Sequence, residues 1–199
     1  MNRRKWSPLH LALGALFVAL TAIGANITSL IPFMVIGGVP ITLQTFFAIL
    51  AGLILGSRLG AFSMFVYMVV GLAGVPLFAQ FKGGMSALIS PTFGFIWSFI
   101  LVAFVAGKII EYKRSRWNYV LAALAGMLVN YILGTNWMYI AYQFWFEAPE
   151  NLTYTLVWLW MLVPLPKDVV ITVLAGLFAY RLHSIPAIKG IMSRKQDAA

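Results

Sequence analysis

Apolar residues run along the chain in six stretches, near 9–30, 41–57, 59–78, 91–111, 117–146 and 155–182, separated by short polar or glycine- and proline-containing breaks. Several are about 20 residues long, enough at about 1.5 Å per residue to cross a hydrocarbon core of about 30 Å. In lipid each span must satisfy its own backbone hydrogen bonds, which leaves helices as the form for long continuous runs. The pattern predicts an all-α integral membrane protein. It is expected to be one bundle of six transmembrane helices, with residues 1–199 forming a single transmembrane domain.

Composition agrees: 62% of residues are hydrophobic, 10% are charged, and the mean hydropathy is +0.91. A chain so poor in polar residues cannot coat a soluble domain of this size. The net charge of +9 comes from 14 basic against 5 acidic residues, scattered at the ends of the apolar runs. That scatter argues against a nucleic-acid stripe and reads as topology. With the N-terminus in the cytoplasm, Arg3, Arg4, Lys5, Arg58, Lys108, Lys113, Arg114, Arg116, Arg181, Lys189, Arg194 and Lys195 are all inside, and only Lys82 and Lys167 are outside. Residues 1–8 and 184–199 are therefore expected to be cytoplasmic segments. Arg3-Arg4-Lys5 before an apolar run resembles an export signal, but no small-x-small site precedes a polar mature chain, so the first span is expected to stay. With no cysteine, disulfides and thiolate metal sites are excluded.

The chemistry is sparse. His10 and His183 fall at helix ends without a neighbouring carboxylate, and no G-x-x-x-x-G-K-[ST] loop occurs, so ATP hydrolysis by that route is excluded. Asp168 stands out because it begins an apolar run, Asp168-Val169-Val170-Ile171, just after Val163-Pro164-Leu165-Pro166-Lys167. A carboxylate at hydrocarbon depth is costly and survives mainly by facing a cavity or a partner. The two prolines break the last span and aim the N-terminus of the following half-helix into the protein, where an anion is favoured. Asp168 is thus either a ligand-binding group or half of a structural pair with Lys167. Lys167 lies about 100° round the helix from Asp168 and is expected to snorkel outward or to meet a ligand's tail.

Other polar positions gather toward the same end of the spans. Thr42 and Gln44 follow Pro40, Thr92 follows Pro91, and Gly126, Asn130 and Gly134 recur every fourth residue, with Trp137 further along. Each could tie helices together; with Asp168 they outline a pocket open to the outer face. The outer loops 31–40, 78–90 and 147–154 are candidates to cover it. Ala15 and Ala19 form a small-x-x-x-small pair, and Gly52, Gly56 and Gly60 another series, both suited to close helix contact. The residues alone leave open whether these faces pack the bundle or dock a partner.

Several of these segments, in order, resemble the BioY family, the biotin-specific S components of energy-coupling-factor vitamin transporters. They are Val39-Pro40-Ile41-Thr42-Leu43-Gln44, Leu50-Ala51-Gly52 through Gly60, Gly71-Leu72-Ala73-Gly74-Val75-Pro76-Leu77-Phe78, Gly83-Gly84, and Ser90-Pro91-Thr92-Phe93-Gly94-Phe95. The resemblance implies biotin as ligand, a transmembrane coupling subunit and ATP-binding subunits as partners, a prokaryotic cell membrane as location, and no cofactor or enzymatic activity. It also implies that Ala15 and Ala19 dock the coupling subunit. Asp168 is placed in the ligand site, with Lys167, Gln44, Thr42, Thr92, Gly94, Phe95, Phe78, Asn130 and Trp137 as further contacts. Lys167 and Ile171 depart from the family's usual Pro-Gly-Asp-x-x-Lys, and Phe93 and Phe95 stand where Gly and Tyr are more usual.

Biotin suits such a pocket. Its ureido N–H groups can donate to a buried Asp168, its ureido carbonyl can accept from Gln44 or Asn130, and its carboxylate tail can meet Lys167 or Lys82. An S component for another small vitamin, an intramembrane enzyme and a receptor-like bundle are the alternative readings; the enzyme is disfavoured by the lack of paired acids or an embedded histidine.

Overall fold

The structure is a computed structural model that describes residues 6–27, 35–36 and 39–184. Among them are seven α-helices: α1 (Pro8–Asn26), α2 (Gln44–Leu55), α3 (Ser57–Leu72), α4 (Phe93–Tyr112), α5 (Arg116–Phe144), α6 (Tyr154–Met161) and α7 (Leu165–Ser184). Two-residue strands β1 (Val35–Ile36) and β2 (Val39–Pro40) pair antiparallel between α1 and α2. The rest of loop 31–40, the residues 1–5 and the tail beyond Ser184 lie outside the described residues.

The helices begin where the sequence supplies caps. Ser7, Ser115 and Thr153 accept from the backbone N–H groups of His10, Asn118 and Leu156, satisfying donors that the first turns of α1, α5 and α6 leave free. The second and third apolar runs are shorter as helices than expected. Gly56, at φ 83°, reverses the chain between α2 and α3, and α3 stops before Gly74, whose φ of 107° a side chain would resist. Glu111 of α4 caps α3, accepting from Ser57 N at 2.9 Å and from Ser57 Oγ. An acid at a helix N-terminus is favoured there by the macrodipole.

Three single helices, α1, α4 and α5, are long and apolar enough to cross a membrane, and α6 with α7 makes a fourth such unit bent by 52°. The expected span 155–182 is therefore two helices. Leu162 to Pro164 interrupts it, and Pro166 sits in the first turn of α7, where its missing N–H costs nothing.

Glycines set the packing. A Cβ on Gly52 would strike the Ala103 backbone, one on Gly107 the Ser57 backbone, and one on Gly176 the Tyr119 carbonyl at 2.9 Å. The series Gly52-x-x-x-Gly56-x-x-x-Gly60 is therefore used inside the bundle, where Gly60 meets Ala51. The core is built from Ile49, Leu53, Met64, Phe99, Val102 and Met138. Leu16 and Ile23 on α1, Leu121 and Leu128 on α5, and Leu174 and Phe178 on α7 face outward and exposed. Such bands are the lipid face of a multi-pass membrane protein.

Candidate functional site

Asp168 is in the first turn of α7 and buried. Its Oδ2 accepts from Tyr131 Oη of α5 at 2.7 Å. Its Oδ1 lies 2.8 Å from Lys167 Nζ, but outside hydrogen-bonding geometry, so this oxygen is ion-paired while its lone pairs take no donor. Lys167 does not snorkel away, as the 100° offset suggested. Its flexible stem folds back so that Nζ also donates to the Thr42 carbonyl at 2.8 Å, just before α2. A buried carboxylate beside it and an unpaired carbonyl in front outweigh the pull of water on this ammonium.

From Thr42 the polar contacts continue across the bundle. Thr42 Oγ1 donates to Gln44 Oε1 at 3.0 Å, Gln44 Nε2 donates to Tyr67 Oη at 2.7 Å, and Tyr67 donates to the Leu77 carbonyl at 2.9 Å. Asn26 of α1 reaches the same carbonyl and accepts from Phe81 N at 2.7 Å. A chain of bonds thus runs from α5 through α7, α2 and α3 to the loop 73–92 and α1. The structure brings together Asp168, Lys167, Thr42 and Gln44, four of the residues singled out from sequence.

A second cluster joins the starts of α4 and the far end of α5. Trp137 packs edge-on to Phe93, Trp97 and Trp145, and its Nε1 donates to the Ser90 carbonyl at 3.2 Å. Gly94 lies against Trp137 with no room for a Cβ, and Thr92 shares a hydrogen bond with Ser90. Trp97 Nε1 is buried without an acceptor. The remaining expected contacts are engaged in packing. Asn130 is buried and donates to Ser98 at 3.2 Å, Phe95 covers Gly134, and Phe78 covers Gly71 and meets Tyr67 edge-on.

Ala15 and Ala19 are exposed on α1, and no described helix covers them. The alanine pair and the glycine series, alike in spacing, thus have opposite surroundings.

The profile of the BioY family matches residues 1–187. The chain belongs to the BioY family. Among its relatives, the putative biotin transporter BioYB of Bacillus subtilis (strain 168) is 40% identical over 185 residues, 92% of each chain. The biotin transporter BioY of Thermotoga maritima is 42% identical over 119 residues, 60% of this chain and 68% of the relative. A crystal structure of the S-component for biotin from an ECF-type ABC transporter superposes with a TM-score of 0.76, covering 91% of this chain and 96% of that one at 21% identity, which shows a common fold.

Within this BioY chain, sequence reasoning passed over Tyr131, Tyr67, Asn26 and Trp97. A signal was present: Tyr67 and Tyr131 lie in the middle of apolar runs, and a phenol at that depth needs a partner.

Proposed function

We propose that this chain is a biotin-binding S component of an energy-coupling-factor uptake transporter. Membership of the family supports this reading, and the observation that carries it is the buried carboxylate of Asp168, whose Oδ1 faces only the ammonium of Lys167 and takes no aligned hydrogen bond. Lys167 balances the charge on this oxygen without an aligned hydrogen bond, so a ligand N–H donating there adds a charge-assisted bond, a class worth about 1.5–3 kcal/mol. A carboxylate has about four acceptor sites; Tyr131 takes one and Lys167 stands against another, so about two remain for the ureido N–H groups. Thr42 and Gln44 border the same carboxylate through Lys167. Trp137, Gly94, Thr92, Phe95, Phe78 and Asn130 would form or support the apolar walls, with Lys167 dividing its charge between Asp168 and the tail.

In this reading the whole chain is one transmembrane domain of six spans, with both termini in the cytoplasm of a prokaryotic cell. The short α2 and α3 serve as full spans, and the bent α6 and α7 form the sixth. The exposed Ala15 and Ala19 receive a coupling subunit, which is joined to ATP-binding subunits. Cysteine labelling after Arg58, Arg116 and Ser184 should report cytoplasm, and labelling near Gly84 and Glu150 should report the outside; a C-terminus on the outer side would end the six-span arrangement.

Equilibrium binding of radiolabelled biotin to purified protein, competed by other vitamins, tests the ligand. Saturable binding displaced by unlabelled biotin alone is expected. Displacement by a different vitamin at lower concentration would reassign the ligand.

A further inference from the structure

Away from Asp168, a groove runs between α1 and α3. Its floor is Gly14 and Ser63, and its walls include Leu11, Val18, Phe62 and Val66. The floor offers nothing polar, because Ser63 Oγ donates to Leu59 O of its own helix. With a volume of about 120 Å³ the groove is well below the size at which pockets enclose drug-sized ligands, roughly 300 Å³. From Leu11 to Val18 it extends about 10 Å along the helix axis. Those dimensions suit part of one acyl chain.

The two walls end alike. On α3, Arg58 precedes Phe62 and Val66 at every fourth residue; on α1, His10 precedes Gly14 and Val18 in the same way. Both apolar stripes therefore lead to a basic side chain at the end of the bundle where α1 begins. Arg58 is exposed and has no ion pair among the described residues. His10 Nδ1 is held by Ser7 Oγ at 2.6 Å; with Ser7 donating, the ring N–H falls on Nε2 and is available. Trp6 packs on Phe62 at 4.8 Å between ring centres, placing an aromatic where headgroups lie.

We infer that this groove is a binding site for an anionic phospholipid, with an acyl chain between α1 and α3 and the headgroup phosphate at Arg58 and His10. An apolar trough that opens on two cationic or donor groups matches an amphiphile of one charge sign, where a partner helix would need no such mouth. Ala15 borders the groove, so a bound chain lies beside the strip assigned above to the coupling subunit.

Native mass spectrometry of delipidated protein, titrated with phosphatidylglycerol or phosphatidylcholine, tests the site. Phosphatidylglycerol should bind preferentially by about fivefold or more, the effect of roughly one basic residue near an anionic headgroup. Arg58→Gln with His10→Gln should reduce that preference to parity. Gly14→Leu should lower binding of both lipids; should it fail to fold, Val66→Trp fills the groove from its partly exposed wall. Biotin binding should be unchanged in the Arg58 and His10 variants. Equal binding of the two lipids by the native protein, or an undiminished preference in the double variant, would overturn the inference. So would a concentration-dependent dimer lost in the groove-filling variant without any change in lipid binding.

Discussion

The interior of the bundle and the outward strip of α1 use similar residues to opposite ends. Inside, Gly52, Gly107 and Gly176 press on neighbouring backbones, and Asn130 and Tyr131 have found partners on other helices. Outside, Ala15 and Ala19, at the four-residue spacing that Gly52, Gly56 and Gly60 also show, remain exposed. Spacing therefore says that a face can be approached closely, and only the fold says whether it already has been. A related contrast recurs within one carboxylate: Oδ2 of Asp168 accepts a hydrogen bond from Tyr131, while Oδ1 is met only by the ammonium of Lys167, outside hydrogen-bonding geometry.

The largest effect is expected at a committed glycine. Gly52→Val forces a branched side chain into the Ala103 backbone, which cannot retreat without parting α2 from α4. Destabilisation at or above the top of the usual overpacking range, about 3 kcal/mol, should appear as loss of folded protein or a much lower Tm in detergent. A Tm near that of the native protein would show that the face is not closed. Asp168→Asn should come next, losing about 1.5–3 kcal/mol of biotin binding, roughly ten- to a hundredfold, by titration of a monodisperse sample, because a charged acceptor is replaced and a donor faces a donor. Unchanged affinity in a well-folded variant would remove Asp168 from the site.

Tyr131→Phe separates the two oxygens. It removes the donor to a charged Oδ2 and should cost about 1.5–3 kcal/mol in stability, with a smaller loss of affinity than Asp168→Asn. An affinity loss as large as that of Asp168→Asn would mean that the phenol itself meets the ligand. The smallest effect on the isolated protein belongs to Ala15→Trp, within about 0.5 kcal/mol of native stability and with native biotin binding. The same substitution should abolish co-purification with a coupling subunit; a marked fall in Tm would place the strip inside the bundle.

How much of this was legible from the sequence depended on whether a residue announces its own need. Asp168 does, since any carboxylate in an apolar run requires a partner, and the Pro164 and Pro166 pair announces the break at the end of α6. The glycine series announced close contact but not with whom. Tyr131, the inward turn of Lys167 and the cap from Glu111 to Ser57 could not be read, because each depends on which helix lies opposite. Helix length misled in α2 and α3, since apolar character continues past Gly56 and past Leu72 while the backbone turns. For Asn130, Phe78 and Phe95, polarity or aromaticity near the expected pocket was compatible with both ligand contact and packing, and the fold engages all three in packing.

The clamp that Asn26 and Tyr67 place on the Leu77 carbonyl bears on where this protein tolerates added sequence. Loop 73–92 is the longest connection between described helices, which ordinarily recommends it for an epitope or a fluorophore. Yet Gln80 and Phe81 are held there at positive φ, Phe81 N is tied to Asn26, and Phe78 is seated in the core. A tag placed between Leu77 and Lys82 would pull at α1, α3 and the chain leading to Asp168 together. The shorter stretch 147–151 carries exposed side chains throughout. It is the better place for a reporter, because a backbone with few buried commitments can lengthen without asking the helices to move.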